Sequence, residues 1–120
     1  MPRTILVVDD DRPIADVLAD LLCDEGYDVR TAYDGQAALR EFEREPVDLI
    51  LSDVSMPRLD GPALIRQLRA RGRAVPVILM SAVYQDVDLP GVEFVPKPFD
   101  VGQVADLVAR VVEQNGALHR

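Results

Sequence analysis

The sequence is poor in the residues that form disulfides, histidine-based metal sites and membrane spans. Its 120 residues include a single cysteine, Cys23, a single histidine, His119, and no tryptophan. One cysteine cannot form an intrachain disulfide, and one histidine argues strongly against a histidine-based zinc site or a serine–histidine–aspartate triad. The apolar run near the N-terminus, Ile5–Val8, is too short for a signal-peptide core or a membrane span. These absences predict a soluble, cytoplasmic protein.

Positive charge is also scarce. Thirteen basic residues stand against 21 acidic ones, for a net charge of −8. A surface of that sign repels nucleic acid and anionic membranes, so we expect neither as a direct partner. One basic cluster interrupts the pattern, and we interpret it as a solvated helix end, with a docking patch as the alternative. The cluster is Arg66, Arg69, Arg71 and Arg73.

Short apolar runs alternate with amphipathic stretches along the chain. These runs, with a further short strand at 27–32, predict five strands, at 5–8, 27–32, 47–52, 75–80 and 92–95. Apolar residues at helical spacing follow the first, second, third and fifth of these strands. Strand followed by helix, repeated, predicts a parallel sheet covered on both faces. We expect one domain over residues 1–120, with a frayed tail from about residue 113.

Polar residues stand at the carboxyl ends of four predicted strands. Asp9 and Asp10 follow the first strand, Asp53 the third, Ser81 the fourth and Lys97 the fifth. Ligands of open parallel sheets bind beyond these ends, where the winding of the sheet reverses. Each residue alone could cap a helix or lie on the surface, but four such coincidences at one edge are harder to accept than one site.

The chemistry of this group points to phosphoryl transfer. Three converging carboxylates repel one another, so the site must raise a pKa or bind a cation. Ligands that are all oxygen select a hard ion such as Mg²⁺. A lysine and a hydroxyl beside them could hold phosphoryl oxygens while an ionised carboxylate attacks in line.

Four motifs in fixed order resemble the response-regulator receiver domains of two-component signalling. They are ILVVDDD, PVDLILSDVSMPRLDG, VPVILMSA and VPKPF, and together they extend over nearly the whole chain. The resemblance implies a flavodoxin-like, doubly wound α/β fold with a five-stranded parallel sheet in the order 2-1-3-4-5.

The resemblance also implies a metal and an acceptor. Asp53 matches the residue that accepts the phosphoryl group. Asp9, Asp10, Asp53 and the backbone carbonyl of Ser55 match the ligands of Mg²⁺. The donor would be a histidine kinase or a phosphotransfer protein. The domain would not be an enzyme beyond promoting its own phosphorylation and dephosphorylation.

Three further positions match residues that respond to the phosphoryl group. Lys97 matches the lysine that pairs with a phosphoryl oxygen, and Ser81 matches the hydroxyl that closes on it. Phe94 matches the rotating aromatic of the switch. These matches imply a partner-binding surface whose shape depends on phosphorylation.

The sequence departs from the family in the fourth crossover. Only fifteen residues separate Ser81 from Lys97, about six fewer than the resemblance implies. We therefore predict an irregular loop, or at most one helical turn, before the fifth strand. The shortening should expose apolar side chains that invite a partner or a second copy in a homodimer. The candidates are Val92, Phe94, Leu107 and Val111.

Two other functions remain as alternatives. The first is a receiver-like partner-binding module that does not cycle phosphate. The second is a phosphatase of the aspartyl-phosphate type, which needs a second acid two residues beyond the nucleophile. Ser55 stands at that position, so the phosphatase is the weaker alternative.

Overall fold

The computed structural model describes residues 3–81, 90–97 and 99–118. These residues form five strands and four helices that alternate as the sequence predicts. The strands are β1 (Thr4–Val8), β2 (Asp28–Ala32), β3 (Leu49–Asp53), β4 (Val77–Ser81) and β5 (Val92–Pro96). The helices are α1 (Arg12–Asp24), α2 (Gly35–Arg44), α3 (Gly61–Ala70) and α4 (Val101–Leu118).

The strands form one parallel sheet in the order β2-β1-β3-β4-β5. Val8, the last residue of β1, is in register with Ala32 of β2 on one side and Ser52 of β3 on the other. The chain therefore winds outward in both directions from the β1–β3 pair, which is where such sheets place their ligands. The predicted fold class and strand order are confirmed.

Alternate residues of each strand point to opposite faces of the sheet and form two apolar cores. On one face, Leu6 and Ile50 pack with α2 and α3. On the other, Ile5 and Leu49 pack with α1 and α4. Burial on both faces explains why the central strands are continuous apolar runs.

Aspartates begin the helices at the carboxyl edge of the sheet. The carboxylates of Asp11, Asp34 and Asp60 accept hydrogen bonds from backbone amides three residues on, at 3.3, 2.8 and 2.8 Å. Each cap satisfies an amide that has no partner within its helix. Because β1, β2 and β3 are each followed by a capped helix, the three loops that join them to α1, α2 and α3 are fixed at both ends.

The C-terminal helix differs from the prediction at one residue. Val111 is only 5% exposed, so its predicted exposure is wrong. It continues the inward stripe of Val104 and Val108 against the sheet. The backbone of this helix extends to Leu118. None of the described helices is long and apolar enough to cross a membrane.

The other apolar side chains predicted to be exposed are partly covered. Val92 and Phe94 pack against the core on the α2–α3 face, and Leu107 packs against the core on the α1–α4 face. Ten residues, 82–91, join β4 to β5. The predicted loop in place of a fourth crossover helix falls mainly on residues 82–89, which lie outside the described residues.

Candidate functional site

Three carboxylates converge at the carboxyl edge of β1 and β3. Oxygen atoms of Asp9, Asp10 and Asp53 all lie within 4.8 Å of one another. Asp9 is fully buried, Asp53 is partly buried and Asp10 is exposed. The group therefore extends from the protein interior to its surface, so an ion could approach from the Asp10 side.

Lys97 faces this acidic group from the end of β5. Its ammonium donates a 3.1 Å hydrogen bond to Oδ2 of Asp9 and lies 3.4 Å from Oδ1 of Asp53. The backbone amide of Lys97 donates to the carbonyl of Ser81 at 2.8 Å, which extends the β4–β5 pairing by one residue. The pairing of β5 with β4 thus places the Lys97 ammonium beside the carboxylates of Asp9 and Asp53.

The arrangement shifts the ionisation of its members. Burial raises the pKa of Asp53, and the neighbouring charge of Asp9 raises it further, against the opposing effect of Lys97. Burial lowers the pKa of Lys97, but its hydrogen bond and charge interactions with Asp9 and Asp53 outweigh burial, so the pKa is raised overall. Burial and the Asp9 charge thus disfavour the ionised form of Asp53, and a bound cation would stabilise that form. Lys97 stays protonated.

A glycine brings the following loop close behind Asp53. The amide of Gly61 donates to the carbonyl of Val54 at 2.9 Å, which closes the loop 54–60 on itself. A Cβ at Gly61 would lie 2.6 Å from the carbonyl oxygen of Asp53, closer than real Cβ atoms approach. Glycine is therefore required where α3 begins beside the acidic group.

Asp10, the exposed member of the acidic group, borders an open cavity of about 360 Å³. Its walls are Asp10 on one side and the loop residues Ser55, Met56, Pro57 and Asp60 on the other. An oxygen-only donor set of three carboxylates, with backbone carbonyls nearby, suits a hard divalent cation such as Mg²⁺. The residues present therefore fit the ion that the sequence implied.

The remaining predicted site residues share the same edge of the sheet. Ser81 ends β4, one residue beyond Met80, the register partner of Asp53. Ser55 lies two residues beyond Asp53 and is exposed. Phe94 lies in β5, in register with Leu79, and packs against the α2–α3 face. Lys97 thus contacts Asp9 and Asp53, and Asp10 lies close to both of these carboxylates.

Comparison with known proteins agrees with this geometry. The family profile described as "Response regulator receiver domain" matches residues 5–109. The chain belongs to this family.

Receiver domains of longer regulators are among its relatives. The chain is 34% identical to the sensory transduction protein RegX3 of Mycobacterium tuberculosis over 119 residues, covering 94% of this chain and 52% of RegX3. It is 38% identical to the regulatory protein VanRc of Enterococcus gallinarum over 120 residues, covering 95% of this chain and 50% of VanRc. The chain thus spans about half the length of these curated relatives.

Solved receiver structures share the fold. The receiver domain from the hybrid histidine kinase CckA superimposes with a TM-score of 0.80 at 37% identity, covering 91% of this chain and 98% of that one. NtrX from Brucella abortus gives 0.88 at 29% identity, covering 99% of this chain and 28% of that one. The chain is therefore a phosphoryl-accepting receiver domain of two-component signalling.

Sequence reasoning missed one contact of this receiver domain. Arg58, in the loop after Asp53, has a φ of 69° and forms an ion pair with Asp34 at the start of α2. Asp34 caps α2 in the structure, and nothing in the sequence indicates that an arginine from another loop pairs with it. A positive φ is read from sequence mainly at glycine, so Arg58 carries no local signal.

Proposed function

We propose that Asp53 is the phosphoacceptor of this receiver domain and that Asp9, Asp10, Asp53 and the backbone carbonyl of Ser55 bind Mg²⁺. The observation that carries the proposal is the position of the Asp53 carboxylate. It lies within 4.8 Å of two other carboxylates and 3.4 Å from the ammonium of Lys97. An aspartate with only a structural role would not need two other carboxylates and an ammonium group this close to it.

The roles of the protein groups follow from their charges. Bound Mg²⁺ would neutralise negative charge on the transferring phosphoryl group. An ionised oxygen of Asp53 forms the new P–O bond as the P–N bond of a phosphohistidine donor breaks and its electron pair leaves with the nitrogen. Lys97, protonated throughout, exchanges its contact with Asp53 for one with a phosphoryl oxygen. No general base is needed, because the nucleophile is already ionised at neutral pH.

The response to phosphorylation is assigned to Ser81 and Phe94. Ser81 lies beside the acceptor strand, and its hydroxyl would close on the phosphoryl group. Phe94 stands three residues before Lys97 and would turn as the β4–β5 edge adjusts. A partner, or a second copy in a homodimer, would read the resulting change. Hydrolysis of the acyl phosphate at the same site would end the signal.

The donor in this proposal is a histidine kinase or a phosphotransfer protein. The negative net charge agrees with protein partners and disfavours nucleic acid. A cytoplasmic location is also part of the proposal and agrees with the single cysteine, which cannot form an intrachain disulfide.

Labelling by a small phosphodonor tests the assignment of Asp53. The unmodified protein should take up about one phosphoryl group from acetyl phosphate in the presence of Mg²⁺, measured by intact mass. Asp53→Asn should take up none while keeping its circular dichroism spectrum. Asp100→Asn is a matched control, because Asp100 accepts a 2.7 Å amide hydrogen bond at the start of α4 and is not a member of the acidic group. Stoichiometric labelling of Asp53→Asn would move the acceptor elsewhere.

A further inference from the structure

The loop between Asp53 and α3 contains an unusual backbone conformation. Arg58 has a φ of 69°, and it is the one non-glycine residue with positive φ among the described residues. L-amino acids with a Cβ avoid this region unless other contacts hold them there. The same loop forms one wall of the cavity beside Asp10. The contacts that hold Arg58 therefore also shape the proposed metal site.

An ion pair to the next loop supplies such a contact. The guanidinium of Arg58 donates to Oδ2 of Asp34 from Nη2 at 3.0 Å and from Nε at 3.3 Å. The other oxygen of Asp34 accepts the amide of Ala37 at 2.8 Å and begins α2. One oxygen of the Asp34 carboxylate thus caps α2, and the other pairs with Arg58 in the loop after β3. The capping amide of Ala37, with a smaller contribution from the guanidinium of Arg58, holds the pKa of Asp34 below its ordinary value.

The backbones of the two loops also approach closely at this point. A Cβ on Gly35 would lie 2.0 Å from the carbonyl oxygen of Leu59. Only glycine allows α2 to begin directly against the loop. The ion pair is therefore short and constrained, because the residues that follow its two partners in sequence are themselves in contact.

The residue before Asp34 is fixed by two contacts with α1. The preceding residue, Tyr33, donates its hydroxyl hydrogen to Asp16 of α1 at 3.1 Å. The guanidinium of Arg12 stacks over the Tyr33 ring, 4.3 Å from its centre. Tyr33 and Asp34 thus connect α1, which follows Asp9 and Asp10 in sequence, with the loop after β3, which carries Ser55.

We propose that Arg58 and Asp34 are positioning residues for phosphoryl transfer. Their ion pair fixes the loop 54–60 so that its backbone faces Asp10 across the site. This inference rests on the proposed metal site and adds to it residues that touch neither the ion nor the phosphoryl group. A loop released from Asp34 would leave its left-handed turn at Arg58, and the Ser55 carbonyl would lose its fixed place.

If Arg58 and Asp34 acted only through their charges, their substitution would change Mg²⁺ affinity differently than if they acted by positioning the loop. Removing the cation of Arg58 should strengthen Mg²⁺ binding if only the electric field matters, and removing the anion of Asp34 should weaken it. Positioning predicts that both changes weaken binding. It also predicts that the double variant is no worse than either single variant, because each removes the same contact.

The experiment measures Mg²⁺ affinity by calorimetry in Arg58→Gly, Asp34→Asn and the double variant. Glycine adopts a positive φ freely, and asparagine keeps the Oδ1 that caps α2. Each variant should bind Mg²⁺ about three- to tenfold more weakly and accept a phosphoryl group from acetyl phosphate more slowly at subsaturating Mg²⁺. Opposite shifts in the two single variants, or an unchanged affinity in Arg58→Gly, would overturn the proposal.

Arg71→Gln is the matched control. Arg71 forms an ion pair with Glu43, which joins the far ends of α3 and α2. Its loss should leave Mg²⁺ affinity within about 1.5-fold of that of the unmodified protein. An equal loss of affinity in this control would mean that any contact between α2 and α3 has the same effect, and the specific role of Arg58 would fail.

Two further results separate the causes of failure. If the unmodified protein bound no Mg²⁺, the proposed metal site would fail and the inference with it. If Asp34→Asn did not fold, as judged by circular dichroism, Arg58→Lys would decide. That variant keeps the charge but loses the fork of the guanidinium, so positioning predicts at least twofold weaker binding and the field alone predicts no change.

Discussion

The ammonium of Lys97 donates a 3.1 Å hydrogen bond to Oδ2 of Asp9, although the two residues lie 88 positions apart in sequence. The Asp9 side chain is 0% exposed, and its other oxygen accepts the backbone amide of Asp11 at 2.9 Å. These two donors replace water at a buried carboxylate. The lysine of the proposed phosphoryl site is therefore also part of what stabilises the fold before any phosphoryl group arrives.

Lys97→Met should destabilise the domain. The substitution leaves the buried Asp9 carboxylate without its cation, and a buried charge that loses its partner costs several kcal/mol. Lys97 is 17% exposed, so water can enter and the loss should be about 2 kcal/mol. Urea unfolding without Mg²⁺ measures it. Arg44→Met, which removes an exposed pair with Glu41, should cost less than about 0.5 kcal/mol, and equal losses in the two variants would contradict the argument.

Asp53→Asn, unlike Lys97→Met, should stabilise the domain. The pKa of Asp53 is raised by burial and by Asp9, so its ionised form opposes folding. Neutral asparagine removes that opposition, and without Mg²⁺ at pH 7 we expect stability to rise by about 1 kcal/mol. Thermal unfolding in the presence of a chelator measures the change. A less stable Asp53→Asn would show that the contact with Lys97 outweighs burial and repulsion.

The raised pKa of Asp53 also determines how the stability difference between Asp53→Asn and the unmodified protein depends on pH. A carboxyl with a raised pKa in the folded state contributes stability that is present below its unfolded value, near 3.8, and lost as pH rises through the folded value. The advantage of Asp53→Asn over the unmodified protein should therefore be largest at neutral pH and should shrink as the pH falls toward 4. An advantage that grew with acid would contradict the assigned direction.

The sequence was sufficient to predict the sheet and the acidic group, for physical reasons visible in particular residues. Strands buried on both faces read as apolar runs such as Ile5–Val8, and each run ends where its polar residue stands. The ion pair of Arg58 with Asp34 could not be predicted, because 24 residues separate its partners and neither stands at a strand end. The burial of Val111 was mispredicted because we inferred exposure from a short connection instead of from the stripe it shares with Val104 and Val108.

Mg²⁺ should stabilise the unmodified protein and fail to stabilise Asp10→Asn. A ligand that binds only the folded state adds about 2.7 kcal/mol at a concentration one hundred times its dissociation constant. Asp10 is the exposed member of the acidic group, so its substitution removes a ligand without disturbing the pairing of Asp9 with Lys97. Thermal unfolding over a range of MgCl₂ concentrations, with KCl at matched ionic strength, tests this. Equal stabilisation of both proteins would place the ion elsewhere.

Gly61→Ala should damage both the fold and the acceptor site. The added Cβ would meet the carbonyl oxygen of Asp53 at 2.6 Å and Cδ2 of Leu79 at 2.9 Å. The backbone contact cannot be relieved by a rotamer change, so the start of α3 must move away from β3. We expect a loss of about 3 kcal/mol in unfolding free energy and slower labelling by acetyl phosphate, because Asp53 moves with its carbonyl.

Gly102→Ala separates this contact from the general effect of replacing a glycine in a helix. Its Cβ would meet only the exposed Oδ1 of Asp100, at 3.1 Å, and a shift of a few tenths of an ångström in that side chain relieves the contact while the hydrogen bond from the Gly102 amide remains. Alanine favours the helical conformation by up to about 1 kcal/mol over glycine. Stability should therefore be unchanged or higher in Gly102→Ala, and labelling should be normal. If Gly61→Ala were as stable as this control, the close approach of α3 to Asp53 would not constrain the site.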